Sequence, residues 1–168
     1  MLDRDWPARA DLSAFRLDLP GLTVTTIDPG AMTFVTGQLD AALSHFGLGQ
    51  THGFPGTASG PSYAIRTGID RALVVGHDLA GGWHGEFGAT EASDALTTFV
   101  LEGPASPTAL LRLGEIALTR PSASASFLIA GYRAALYRHE GALRLHVSRP
   151  LAEAFARQLS AVLADLAE

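Results

Sequence analysis

MTFVTGQLDAALSHFGL, residues 32–48, and LTTFVLEGPASPTALLRLG, residues 96–114, run through the same order of events. Each opens on a β-branched and aromatic stretch that reads as a strand, turns at a glycine, and continues into a short helix. The first helix spans 38–46 and repeats Leu39, Ala42, Leu43 and Phe46 at helical spacing; the second carries Leu110, Leu111 and Leu113. Gly47 sits where a residue of left-handed backbone belongs after the first, and Gly114 ends the second. Ser106 reads as the N-cap of the second helix, with Pro107 at its first position. Each stretch is followed by a loop and then a hairpin. A long unit occurring twice predicts an α+β fold of two similar subdomains sharing one core.

Working outward, 15–19 and 22–27 read as strands around a Pro20-Gly21 turn, and 31–36 as the strand that opens the first copy. The glycine- and proline-rich 47–61 reads as a loop. Residues 62–66 and 71–76 read as a hairpin through Thr67–Asp70, and 127–138 with 142–148 as a second one turning at His139-Glu140-Gly141. In the latter, Leu143, Leu145 and Val147 alternate with Arg144, His146 and Ser148, which predicts one apolar face and one face that is wet or meets a partner. Residues 89–93 and 95–101 read as strands. Pro150 opens a last helix whose stripe is Leu151, Phe155, Leu159, Val162, Leu163 and Leu166. The first copy has only HDLAGGWHG, 77–85, in the corresponding place, too rich in glycine for a stable helix. The expected organisation is a single domain: an N-terminal arm over 1–14 pinned by Trp6, a first half over 15–88 and a second over 89–168.

The 168 residues are 47% apolar and 17% charged, with a net charge of −5, which fits a compact globular chain and argues against disorder. There is no cysteine, so disulfides, thiolate metal sites and a cysteine nucleophile are excluded. Every basic residue is arginine, which excludes a Schiff-base lysine and a phosphate-loop lysine. The acidic balance argues against nucleic-acid binding. No stretch reaches the roughly 18–20 apolar residues of a membrane span, and the charged 1–11 lacks the apolar centre of a secretory signal. The expected location is the cytoplasm.

Candidate chemistry gathers in few places. AGGWHGEFG, 80–88, offers glycines for close backbone approach, Trp83 as a stacking face and His84 beside it. Arg66 and Arg71 on one hairpin and Arg133 on the other could pair a carboxylated ligand. The plainer reading of Trp83 is that it fills the gap left by the missing helix. Ser62, Ser93 and Ser148 stand in no nucleophile elbow, and His77 and His84 have no zinc spacing. Glu91 or Asp94 with a histidine would be the pair to expect of an acid/base enzyme.

TEASDALTTFVLEGPASPTALLRL, 90–113, resembles the folate-binding aminomethyltransferase-like proteins, in which a D-x-S strand leads through an apolar strand and Gly-Pro to a short helix. Together with SYAIRTGIDRALVVG, 62–76, and YRAALYRHEGALRLHVSRPLAEAFARQL, 132–159, the chain looks most like the sarcosine oxidase gamma subunit family over most of 20–166. The resemblance implies two intertwined β-β-α-β-β(-α) subdomains, as in the folate-binding domain of the glycine-cleavage T protein. At the position of the family's D-x-S aspartate stands Glu91, and Gly81-Gly82 is followed by Trp83-His84 where the transferases have an acidic pair. The resemblance therefore implies a non-catalytic assembly subunit. Its partners would be larger, alpha-type oxidase subunits, with flavin, NAD and tetrahydrofolate on those partners and none on this chain; in isolation it could self-associate. The alternative is a stand-alone binder of a folate-like molecule.

Overall fold

The computed structural model describes residues 11–167. The expected arm with Trp6 lies largely outside them. The strands are β1 (Arg16–Leu19), β2 (Leu22–Ile27), β3 (Met32–Gly37), β4 (Thr51–His52), β5 (Thr57–Ala58), β6 (Tyr63–Arg66), β7 (Arg71–Val75), β8 (Gly82–His84), β9 (Phe87–Glu91), β10 (Leu96–Glu102), β11 (Ser126–Ile129), β12 (Tyr132–His139) and β13 (Ala142–Ser148). The helices are α1 (Leu39–His45), α2 (Ser106–Leu113) and α3 (Ala152–Leu163).

They form two sheets with mixed α+β character. One runs β1-β2-β10-β13-β12-β11, with β5 added in parallel to β12; the other runs β4-β6-β7-β3-β9-β8. The two orders correspond strand for strand. In one, the hairpin β1–β2 lies beside β10, then β13 and β12; in the other, β8–β9 lies beside β3, then β7 and β6. Each hairpin precedes one strand-helix-hairpin unit in the chain but pairs with the other unit. That exchange intertwines the copies. Strand β9 runs across the division at 88/89 expected from the sequence.

Alternation along the strands builds four layers. Leu22, Val24, Phe99, Leu101, Leu143 and Leu145 pack beneath Leu110 of α2 and Phe155, Leu159 and Leu163 of α3. Ala72, Val74 and Ala89 pack beneath Ala42 and Leu43 of α1. Met32, Ile65, Leu73 and Val75 of one sheet meet Tyr137 of the other between the two sheets. Ala125 ties the sheets by backbone bonds: its N–H donates to the Arg66 carbonyl at 2.7 Å, and its carbonyl accepts from Leu136 N–H at 2.7 Å.

Several expectations change. The segment 127–138 is not one strand. It breaks at Ala130-Gly131, both with positive φ (49° and 84°), into the hairpin β11–β12. Ala-Gly is a weaker turn signal than Asn-Gly, so the apolar run masked it. The loop 47–61 contains β4 and β5, which are too short to show a period. The strand expected at 89–93 starts at Phe87, because 77–87 is no lost helix: it carries β8 and the start of β9. Helix α2 has Ala105 as its N-cap, and Ser106 Oγ instead donates to the Gly103 carbonyl at 2.8 Å. Leu111 is exposed on α2, and Leu151 sits 47% exposed in a 3-10 turn (Arg149–Leu151) ahead of α3. The α3 interior is instead completed by Ala152 and Ala156.

Candidate functional site

The sequence-predicted site residues do not converge. Arg133 is on β12 opposite Leu128 of β11, in the sheet that lacks Trp83. Arg66 is committed to its own hairpin: Nε donates to the Gly68 carbonyl at 3.0 Å and a terminal nitrogen donates to the Ile69 carbonyl. His84 Nε2 lies 2.9 Å from the Ala80 carbonyl, and its ring stacks on Phe87 with centroids 5.6 Å apart. Trp83 fills no gap. It stands on the edge strand β8, 75% exposed.

Trp83 and Arg71 do share one feature. The cross-strand partners Trp83–Gly88, Gly88–Thr36 and Thr36–Arg71 form one row, so the four residues lie on one face. Strand spacing puts Trp83 and Arg71 roughly 14 Å apart. A Cβ built on Gly88 would lie 3.5 Å from Thr36 Cγ2 and 3.9 Å from Trp83 Cε3, so the indole leans over the glycine with its other face in solvent. Because so little of Trp83 is buried, Trp83→Ala is expected to change unfolding free energy by less than about 0.5 kcal/mol, measured by urea denaturation.

Glu91 and Asp94 line an open depression of about 360 Å³ with Ala95. Asp94 Oδ1 is 3.4 Å from Arg149 Nη1. No histidine shares that lining, so the acid/base pair considered from the sequence is not assembled there.

The densest polar constellation was not legible in advance. It lies between the sheets, on the β13 face expected to be wet or partner-bound. His146 is 2% exposed there, because β6 of the second sheet covers that face with Tyr63. Arg144 Nη1 donates to Tyr63 Oη at 2.8 Å. Tyr63 Oη and Tyr137 Oη are 2.9 Å apart, Tyr137 Oη is 2.8 Å from His146 Nε2, and His146 Nδ1 is 2.9 Å from Thr98 Oγ1. Arg144 Nε is buried without a hydrogen-bond partner among the described residues. Burial, reinforced by Tyr63, pushes the Tyr137 phenol well above its usual range. Burial, and after it the Arg144 charge, pushes His146 down to about 3. His146 is therefore neutral near pH 7. The only hint in the sequence was the alternation Arg144, His146, Ser148, which says that a face is polar but not what covers it.

Its fold is similar to that of a sarcosine oxidase chain. One solved chain that it matches belongs to the heterotetrameric sarcosine oxidase from Corynebacterium sp. U-96, solved in complex with pyrrole 2-carboxylate, with a TM-score of 0.68 and 17% sequence identity. The match covers 88% of this chain and 86% of that one, so the two are about equally long. At that identity the likeness is one of fold. No family model and no curated protein matches the chain. No helix among the described residues is long and apolar enough to cross a membrane.

Proposed function

We propose that this chain is a non-catalytic, gamma-type subunit of a heterotetrameric sarcosine oxidase-like complex. Its role is assembly, in an oxidative demethylation linked to tetrahydrofolate, and flavin, NAD and folate sit on its larger partners. One observation carries the reading: the fold is shared nearly end to end with a chain of about the same length that belongs to such a complex. The scattered positions of Arg66, Arg71, Arg133, Trp83 and His84 agree with side chains that serve packing and surface contact rather than one reactive centre.

The test is co-expression with alpha-, beta- and delta-type sarcosine oxidase subunits, followed by size-exclusion chromatography and a sarcosine oxidation assay. The expected result is co-elution in one complex, with loss of complex when this chain is omitted. Oxidase subunits that assemble and turn over normally without it, while it elutes alone, overturn the reading.

The row Trp83-Gly88-Thr36-Arg71 favours a second reading, a stand-alone binder of a folate-like molecule, with the free indole face for a flat ring and Arg71 for a carboxylate. Tetrahydrofolate should then quench tryptophan fluorescence in the wild type and much less in Trp83→Phe. An unquenched wild type removes this reading and leaves the first untouched.

A further inference from the structure

We propose that the hydrogen-bonded chain Arg144–Tyr63–Tyr137–His146–Thr98 is an acid-sensitive latch between the two sheets, in which a proton taken up by His146 reverses the hydrogen bonds and opens the joint. The geometry gives the chain a direction. Arg144 can only donate, so Tyr63 Oη must accept from it. The guanidinium charge then favours hydroxyl dipoles that turn their oxygens toward it and their hydrogens away. Tyr63 thus donates to Tyr137, Tyr137 donates to His146 Nε2, and His146 carries its hydrogen on Nδ1, facing Thr98 Oγ1.

In that arrangement neither ring nitrogen is free to take a proton. Protonation at Nε2 forces Tyr137 to accept from the imidazolium and to donate to Tyr63. The Tyr63 hydrogen then faces the guanidinium, and no other side-chain hydrogen bond of Tyr63 is formed among the described residues. A second positive charge also appears near the half-buried Arg144, on a ring that is itself shut away from water. The groups that face His146 offer no relief. Strand β12 contributes Tyr137, β6 contributes Tyr63, β13 contributes Arg144, and β10 contributes only the neutral Thr98. Glu140 reaches this joint only at one remove: its Oε2 is 4.0 Å from Nδ1 of His139, whose ring packs on Tyr63 at 4.8 Å. A depressed proton affinity of buried His146 agrees with this account.

Opening exposes His146 to water, where it titrates near its ordinary value. Acid therefore favours the open form. Stability of the joint is complete above about pH 6.5 and declines as pH falls toward the value of the closed form. The test is amide hydrogen exchange on the whole chain between about pH 7.5 and about pH 5, corrected for intrinsic rates. The reporters are the joint amides of Ala125 and Leu136, compared with Leu73 inside one sheet. Protection of the joint amides is expected to fall about tenfold per pH unit below pH 6.5 in the wild type. It stays nearly flat in His146→Gln, which has no group to take up the proton. A wild-type joint that ignores pH, or one whose fall His146→Gln reproduces, overturns the latch. Should His146→Gln not fold, His146→Asn decides: a fall as steep as the wild type's overturns it.

Discussion

Phe155→Ala is expected to lower the unfolding free energy by about 3–5 kcal/mol. Phe155 is fully buried where α3 meets the β1-β2-β10-β13-β12-β11 sheet. Its ring stands edge-on to Phe99 at 5.0 Å and to Tyr132 at 5.6 Å, and Phe99 in turn meets Phe15 edge-on at 5.7 Å. Removing it opens a hole roofed by a helix and floored by two strands that are paired on both sides, so the surroundings cannot collapse far. Edge-to-face contacts are lost as well, each worth about 0.5–1.5 kcal/mol beyond area. Urea denaturation followed by circular dichroism measures the effect. Leu151→Ala is the matched control. Leu151 belongs to the same apolar run in the sequence but is half exposed, and its truncation is expected to cost less than about 1 kcal/mol. Equal costs for the two would mean that α3 does not present the face described.

Gly103→Ala is expected to cost more than about 2 kcal/mol, for two reasons that add. Its φ is +111°, a conformation in which a side chain is strained by about 1–3 kcal/mol. A Cβ there would also lie 2.4 Å from the Gly21 carbonyl oxygen and 3.0 Å from its carbon. That oxygen is held, because it accepts from Ala105 N–H at 2.9 Å. Accommodating the methyl therefore strains Gly103 and breaks the bond by which the β1–β2 turn grips the link between β10 and α2. Gly30→Ala separates the two effects: φ is +81° but nothing lies within 4 Å, so only the strain of about 1–2 kcal/mol is expected. The difference between the two thermal or urea midpoints isolates the clash. The exchanged hairpin is the element at stake, so Gly103→Ala should also speed amide exchange in β2 more than Gly30→Ala does.

These two positions show how differently the two kinds of information were readable. Phe155 follows from helical spacing alone: Phe155, Leu159 and Leu163 recur every fourth residue and all three are buried. Gly103 reads in sequence only as a chain break before Pro104. That it meets Gly21, across most of the first copy, depends on which strand β2 chooses as a neighbour. The same limit governed the candidate site. Arginines on hairpins and a tryptophan among glycines are visible as residue types, yet whether they share a surface is a matter of sheet order. Trp83 and Arg71 fall in one row and Arg133 on the other sheet for that reason alone.

By itself the sequence determined the strand-turn-helix-stop units, their duplication, the inward stripe of α3 and the alternation of β13, because each rests on period and turn chemistry within a few neighbouring residues. Only the tertiary structure decided that the hairpins β1–β2 and β8–β9 change places between the copies, that residues 82–84 are an edge strand, and that the polar face of β13 closes over His146. Local pattern says which face of a strand is polar. What covers that face is settled by backbone pairing and burial among residues far apart in the chain, for which no short stretch of sequence carries the information.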